Sequence, residues 1–167
     1  MDITTDMIKE VREQSGAGIM DCRTALIGAE GNLEKALEVL KEKGLSKAAK
    51  KAGRSTGQGL IESYIHTAGR IGALVELNCE TDFVARTDEF KELAHCLAMQ
   101  VAALDPQYID KEDVPEDTDT EPDEDCLLLQ QYIKDPTKTV NEVIIETIAK
   151  VGENIRVSRF IRYELGG

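Results

Sequence analysis

Between residues 71 and 104 the hydrophobic pattern of this chain changes period, and that change limits what the chain can fold into. Ile71, Ala73, Val75 and Leu77 alternate with other residues, which places them on one face of a half-buried strand. From Phe90 onward, Phe90, Leu93, Ala94, Leu97, Val101 and Leu104 recur at helical spacing. A strand with one apolar face that leads into a helix with one apolar stripe requires a mixed architecture in which the two faces cover each other. The link between them, Asn78-Cys79-Glu80-Thr81-Asp82-Phe83-Val84-Ala85-Arg86, sets a bulky aromatic beside an acid at a junction where a side chain can project outward. Phe83 is one of only three Phe in the chain. On composition alone it reads as a core residue, because aromatics usually supply core area.

The rest of the chain extends this unit. Leu60–His66 and Arg70–Cys79 flank Thr67-Ala68-Gly69, the pattern of a hairpin, and a helix from about Asp88 to Leu104 follows. Thr139-Val140-Asn141-Glu142 forms a capping box for a helix with Val140, Val143, Ile144, Ile148 and Val151 inward, closed by Gly152. A last strand is expected to turn Ile155, Val157, Ile161, Tyr163 and Leu165 to one face, with Arg159 the exception. Together these elements predict an α+β core over residues 55–167, a three-stranded antiparallel sheet covered by helices on one side. Residues 1–54 read differently. Thr4 or Thr5 caps a helix carrying Met7, Ile8 and Val11, and Ile19, Met20 and Leu26 lie on a second helix. Asn32 caps a third helix with Leu33, Leu37 and Leu40, which Gly44 is expected to stop before a fourth leads out. So small a three-helix unit has a marginal core and should lean on something else.

Charge and composition exclude several functions. No apolar run reaches the roughly 20 residues of a membrane span. The start, Met1-Asp2-Ile3-Thr4-Thr5-Asp6, is too acidic and polar for a signal peptide, so a cytoplasmic protein is expected. Of the net charge of −12, residues 105–125 alone carry −10, together with three of the four Pro. Such a segment buries too little apolar surface to offset its ordering entropy and is expected to be a mobile loop. Lys47, Lys50, Lys51 and Arg54 share one helical face, yet their module is nearly neutral and lacks the aromatics of a nucleic-acid binder, so a solvated linker helix is expected. The four Cys are isolated and the potential metal ligands scattered, which offers neither a zinc site nor a paired thiol centre. Neither Gly16-Ala17-Gly18 nor Gly53-Arg54-Ser55-Thr56-Gly57-Gln58-Gly59 meets the requirements of a nucleotide loop, and the latter reads as an interdomain hinge.

Four blocks in order resemble bacterial elongation factor Ts. They are Gly16-Ala17-Gly18-Ile19-Met20-Asp21-Cys22-Arg23-Thr24-Ala25-Leu26, Lys47-Ala48-Ala49-Lys50-Lys51-Ala52-Gly53-Arg54, Thr81-Asp82-Phe83-Val84-Ala85-Arg86 with the residues before it, and Gly152-Glu153-Asn154-Ile155-Arg156-Val157-Ser158-Arg159-Phe160. The resemblance implies a ubiquitin-associated-like module at the N-terminus. It implies guanine nucleotide exchange on elongation factor Tu, bound with GDP or nucleotide-free, and no covalent chemistry. Carried over, Phe83 is a wedge entering an apolar pocket near the GTPase magnesium, Asp82 is its polar companion, and Thr81 and Val84 frame the turn. Ile19, Met20 and Arg23 match the positions that dock on the GTPase nucleotide domain, with at least one of Ile19 and Met20 expected to pack on the first helix. No cofactor is implied, since the magnesium belongs to the partner.

Two departures stand out. Ten residues, Glu116–Asp125, occupy the place between Val114-Pro115 and Cys126-Leu127-Leu128-Leu129 where short members carry a helical insertion. Only one core unit is present, and in short members two chains pair, so a homodimer is implied. Two alternatives of other classes are a non-catalytic adaptor built on the three-helix module and a small thiol enzyme built on Cys79. The first predicts binding without a change in GDP off-rate, the second thiol-dependent turnover without any GTPase.

Overall fold

The computed structural model describes residues 3–167; Met1 and Asp2 of the N-terminal stretch lie outside the described residues. The chain divides into two compact units, one holding the chain up to Gly53 together with Ile145–Glu153, the other Arg54–Ile144 and Asn154–Gly167.

In the first unit, α1 (Thr5–Ser15) is capped by Thr4, whose hydroxyl accepts from the Met7 N–H at 3.3 Å. After Gly16–Gly18 comes α2 (Ile19–Gly28), and Asn32 then caps α3 (Leu33–Lys51) by accepting from the Lys35 N–H at 3.0 Å. Val11, Cys22, Ala25, Leu26, Ala36 and Leu40 form the core, with Met7, Ile8 and Leu37 packed at its margin. The expected stop at Gly44 does not occur: α3 runs on for two further turns to Lys51. A mid-helix Gly costs about 1 kcal/mol against Ala, and it does not end the helix here, where Ala149 lies alongside. A Cβ at Gly44 would lie 3.8 Å from the Ala149 methyl. The support that so small a core requires thus comes from residues 145–153 of the same unit.

In the second unit, β1 (Gln58–Ile65) and β2 (Ile71–Cys79) form the predicted hairpin around a 3₁₀ turn at Thr67–Gly69. β2 passes into the short helix α4 (Asp82–Ala85) and then α5 (Asp88–Leu104), whose Phe90, Leu93, Ala94, Leu97 and Val101 are buried as their spacing requires. Residues 105–125, read from the sequence as a loop, hold local structure of their own. Lys111–Asp113 is a 3₁₀ turn in which the Asp110 and Asp113 carboxylates reciprocally accept backbone N–H groups, and α6 (Pro122–Asp125) follows. The Asp125 carbonyl accepts from the Gln107 and Tyr108 N–H groups, and Tyr108 bridges to Cys126. Acidic residues that bury little apolar surface still satisfy backbone donors locally, and composition alone does not register that.

A small hairpin that the sequence pattern did not reveal, β3 (Gln131–Tyr132) and β4 (Asp135–Thr139), is pinned to α5 by the fully buried Gln100. Its amide donates to the Gln130 side chain at 3.1 Å and to the Gln131 carbonyl at 2.9 Å, and its oxygen accepts from the Ile133 N–H at 2.8 Å. The capping box then opens α7 (Val140–Val151) as expected: Glu142 accepts from the Thr139 N–H at 2.9 Å, and the Thr139 hydroxyl accepts from the Glu142 N–H at 3.2 Å. Gly152, at φ 81°, ends it in the left-handed conformation.

β5 (Ile155–Glu164) completes a sheet of order β1-β2-β5, antiparallel throughout. The fold class is the α+β arrangement expected, but one face assignment is wrong. Leu77 pairs with Val157 while Glu76 pairs with Arg159, so Ser158 is an extra residue. A bulge resets the alternation of a strand. Ile155 and Val157 face the core as predicted, whereas Ile161, Tyr163 and, just past the strand, Leu165 are exposed.

Candidate functional site

Local bonding explains why Phe83 stands out from the strand–helix junction. β2 delivers its last inward residue, Cys79, fully buried, and its thiol donates to the Thr81 carbonyl at 3.1 Å. Thr81 is still extended at φ −127°, and α4 begins at Asp82. Within that single turn Val84 and Ala85 point inward and are buried, which leaves Phe83 on the opposite side, 77% exposed. Asp82 and Arg86, one turn apart, join in an ion pair of 2.8 Å on the outer surface. Thr87 closes the turn by donating to the Val84 carbonyl at 2.7 Å and accepting from the Phe90 N–H at 3.3 Å, which starts α5. Exposing a Phe forgoes roughly 1.5–3 kcal/mol of burial. The buried Val84 and Ala85 anchor the turn that carries it.

Thr81, Asp82, Phe83 and Val84 thus lie together on one turn, with Val84 facing the core and Phe83 solvent. The aromatic that composition assigned to the core is the most exposed large hydrophobic side chain among the described residues.

Ile19, Met20 and Arg23 belong to the other unit and occupy the N-terminal half of α2. Ile19 is 54% and Met20 67% exposed, so neither belongs to the core of this unit, although at least one was expected to pack on α1. The inward positions of α2 are taken by Cys22, Ala25 and Leu26 instead. Ile27 is exposed as well and extends this face. The sequence reading omitted it, although its distance of seven and eight residues from Met20 and Ile19 carried the signal. Asp21, on the neighbouring side, pairs with Lys43 and with Lys47 at 3.1 Å, and those two ammonium groups hold its carboxyl below the usual carboxylate range. The basic face expected over Lys47, Lys50, Lys51 and Arg54 is therefore not a plain solvated stripe. Lys47 is committed to Asp21, and Arg54 lies beyond the end of α3.

All four cysteines are buried free thiols. Burial and the surrounding carboxylates of Asp110, Asp125, Asp113 and Asp123 push the Cys126 thiol up, away from a reactive thiolate. The two histidines are engaged elsewhere, His66 with the Tyr64 hydroxyl at 3.1 Å and His95 with Glu62 at 3.4 Å. Among the described residues no group of three or more His, Cys, Asp or Glu is placed to hold a metal ion, and no helix is long and apolar enough to cross a membrane.

A family model described as Elongation factor TS matches residues 5–124. The chain is 50% identical to an elongation factor Ts of Thermotoga maritima, with 99% of this chain and 98% of that protein covered. It is 48% identical to those of Thermoanaerobacter pseudethanolicus and Carboxydothermus hydrogenoformans, with 98% of this chain covered in both cases and 95% and 89% of those proteins. Each alignment runs over 194 residues against the 167 of this chain, so these relatives hold residues that this chain lacks. A chain so matched is a factor of translation elongation. It belongs to the elongation factor Ts family.

Proposed function

We propose that this chain is a cytoplasmic guanine nucleotide exchange factor that binds elongation factor Tu in its GDP and nucleotide-free states and promotes GDP release. It makes and breaks no covalent bond. Exchange of this kind is linkage: the factor and the nucleotide each weaken the other's hold on the GTPase by the same factor. The observation that carries this reading is Phe83, an aromatic 77% exposed on a turn anchored by two buried neighbours. A large apolar side chain on a fixed base suits insertion between packed elements of a partner, which respond by a discrete shift rather than a smooth deformation. Phe83 is the wedge that disturbs the GTPase magnesium and nucleotide site, Asp82 supplies a carboxylate at its rim, and Thr81 and Val84 hold the turn. Ile19, Met20 and Arg23 dock the N-terminal module on the GTPase and supply affinity; a Met at an exposed helix end adapts well to a partner surface. Stopped-flow release of a fluorescent GDP from elongation factor Tu tests this, with faster release expected at catalytic concentrations of the protein. An unchanged release rate at saturating protein overturns it and leaves the adaptor reading.

The outer face of the sheet supports a second element of the reading, a homodimer. Because of the bulge at Ser158, Ile161 and Tyr163 join Ile61, Ile65 and Leu74 as exposed side chains, with Leu74 opposite Ile161 and Tyr163 opposite Gly72 in the register. Apolar patches of this kind mark interaction surfaces, and two copies related by a two-fold axis would each supply this same face. Sedimentation equilibrium is expected to give twice the chain mass, reduced to the chain mass by Leu74→Glu. A monomer in the unsubstituted protein at micromolar concentration removes the dimer.

A further inference from the structure

Three of the four sequence blocks meet at one hydrogen-bonded node directly behind the wedge. Glu80 directly follows β2, two residues before Asp82, and one of its carboxylate oxygens accepts from the Asn154 backbone N–H at 2.7 Å. The same oxygen lies 3.5 Å from the Arg54 guanidinium. The Asn154 side chain, in a residue only 3% exposed, donates to the Arg54 carbonyl at 3.0 Å. Arg54 and Asn154 are not arbitrary partners. The chain enters this unit twice, once at Arg54 after Gly53 and once at Asn154 after Glu153, and these are the two entry residues. A single carboxylate on the last residue before Thr81 therefore ties together both points at which the chain arrives from the N-terminal unit.

We propose that Glu80 is a positioning residue for exchange: with Arg54 and Asn154 it fixes the direction in which the Thr81–Val84 turn presents Phe83. The proposal rests on the reading of Phe83 as the wedge. Cys79 holds the turn from inside through its thiol, but that bond constrains only the Thr81 carbonyl. Val84 and Ala85 set the depth of α4, and the node acts on the residue that joins β2 to the turn. A hydrogen bond to a charged acceptor, short and largely screened from solvent by the buried Asn154, is well suited to hold such a geometry. A wedge works only if it meets its pocket, so a turn aimed wrongly docks and fails to displace the nucleotide. The loss then falls on the maximal rate and leaves affinity largely intact, because the docking contacts of the N-terminal module do not involve Glu80.

The test measures fluorescent GDP release from elongation factor Tu against concentration of the full chain, for the unsubstituted protein, Phe83→Ala, Glu80→Ala and Glu80→Gln, each with its melting temperature. Misplacing a reacting or inserting group by about 1 Å costs on the order of a hundredfold, so Glu80→Ala is expected to lower the plateau rate roughly tenfold or more, with the half-saturating concentration changed by less than about threefold. Glu80→Gln keeps an acceptor for the Asn154 N–H and loses the charge, and is expected to recover most of the plateau. If Glu80→Ala is unfolded at the assay temperature, Arg54→Ala takes its place, with a smaller plateau loss expected. A normal plateau in a folded Glu80→Ala, or a change confined to the half-saturating concentration, overturns the positioning role while an impaired Phe83→Ala leaves the wedge standing. A normal plateau in Phe83→Ala overturns the wedge and the node with it.

Discussion

Phe83 and Phe90 lie seven residues apart, each in the first turn of a helix, and they meet opposite fates. Phe90 is fully buried, its backbone N–H held by the Thr87 cap and its ring in the interior between α5 and the sheet. Phe83 is 77% exposed on the shorter helix before it. Propensity does not distinguish them, and neither does composition. The difference arises from what the chain does on each side. α5 runs for 17 residues with an apolar stripe, so its first aromatic lies on the inward face. α4 is only four residues long and spends its inward positions on Val84 and Ala85. A side chain can be directed outward at low cost where a short turn is already anchored by small neighbours. The lesson is that an exposed aromatic with buried flanks is a placed feature, whereas an exposed aromatic on a frayed element is only unpaired surface.

The largest expected effect tests the buried half of this comparison. Truncating a core Phe to Ala costs about 3–5 kcal/mol, so Phe90→Ala should lose most of the stability of its unit, read by urea denaturation. Release of GDP by the fraction that remains folded should be near normal. Phe83→Ala should reverse the two observables. Its denaturation midpoint should stay close to that of the unsubstituted protein, while a central aromatic anchor removed from an interface forfeits on the order of 2 kcal/mol, roughly thirtyfold in the exchange rate. A large loss of stability in Phe83→Ala with near-normal release by the folded fraction breaks the comparison and returns Phe83 to the core.

The same contrast explains what could be read from the sequence. β2 and α5 carry clean periods of 2 and 3.6, and the capping box at Thr139–Glu142 is a local chemical signal, so all three were legible. The exposure of Phe83 was not, because periodicity is undefined within a four-residue turn; only the resemblance of the surrounding block pointed outward. α3 runs past Gly44 against the local stop signal, and the residue alongside it there, Ala149, lies about a hundred residues away in sequence, beyond the reach of any local rule. The bulge at Ser158 is set by pairing with Glu76 and Leu77, and a one-residue slip turned Ile161 and Tyr163 from expected core to surface. The short β3–β4 hairpin depends on Gln100, a polar residue on an otherwise apolar helix face whose partners lie thirty residues further on. Glu80, Arg54 and Asn154 each lie within or beside a block that carries the family resemblance, yet their convergence is a tertiary fact.

Met20 extends the comparison to a second projecting side chain. It stands 67% exposed in the first turn of α2, flanked by inward Cys22 as Phe83 is by Val84. If projection from an anchored turn marks contact generally, Met20→Ala should weaken the complex, whereas the plateau of GDP release should hardly change, because this contact is made equally before and after nucleotide loss. About 1 kcal/mol is expected, a fivefold rise in half-saturating concentration. A fall in the plateau with affinity kept would show that the N-terminal unit takes part in displacement itself.

The smallest effect is expected where exposure has no anchored base. Residues 116–120 carry three carboxylates and all are exposed or nearly so, with the Thr118 N–H donating to the Pro115 carbonyl at 3.1 Å. Their neighbours differ: Asp110 and Asp113 cap the 3₁₀ turn, and the Asp125 carbonyl holds Gln107 and Tyr108. Replacing Glu116–Thr120 with a neutral Gly/Ser linker, and leaving 105–115 and 121–125 as they are, should shift stability by no more than about 0.5 kcal/mol. Exchange at moderate salt should be unchanged. Any effect on the association rate should be long-range and electrostatic, and therefore vanish as salt shortens the screening length from about 10 Å at 0.1 M towards 3 Å at 1 M. A loss of exchange that persists at high salt would make this stretch a specific contact, and exposure without an anchored base would then no longer separate inert surface from the surface that binds.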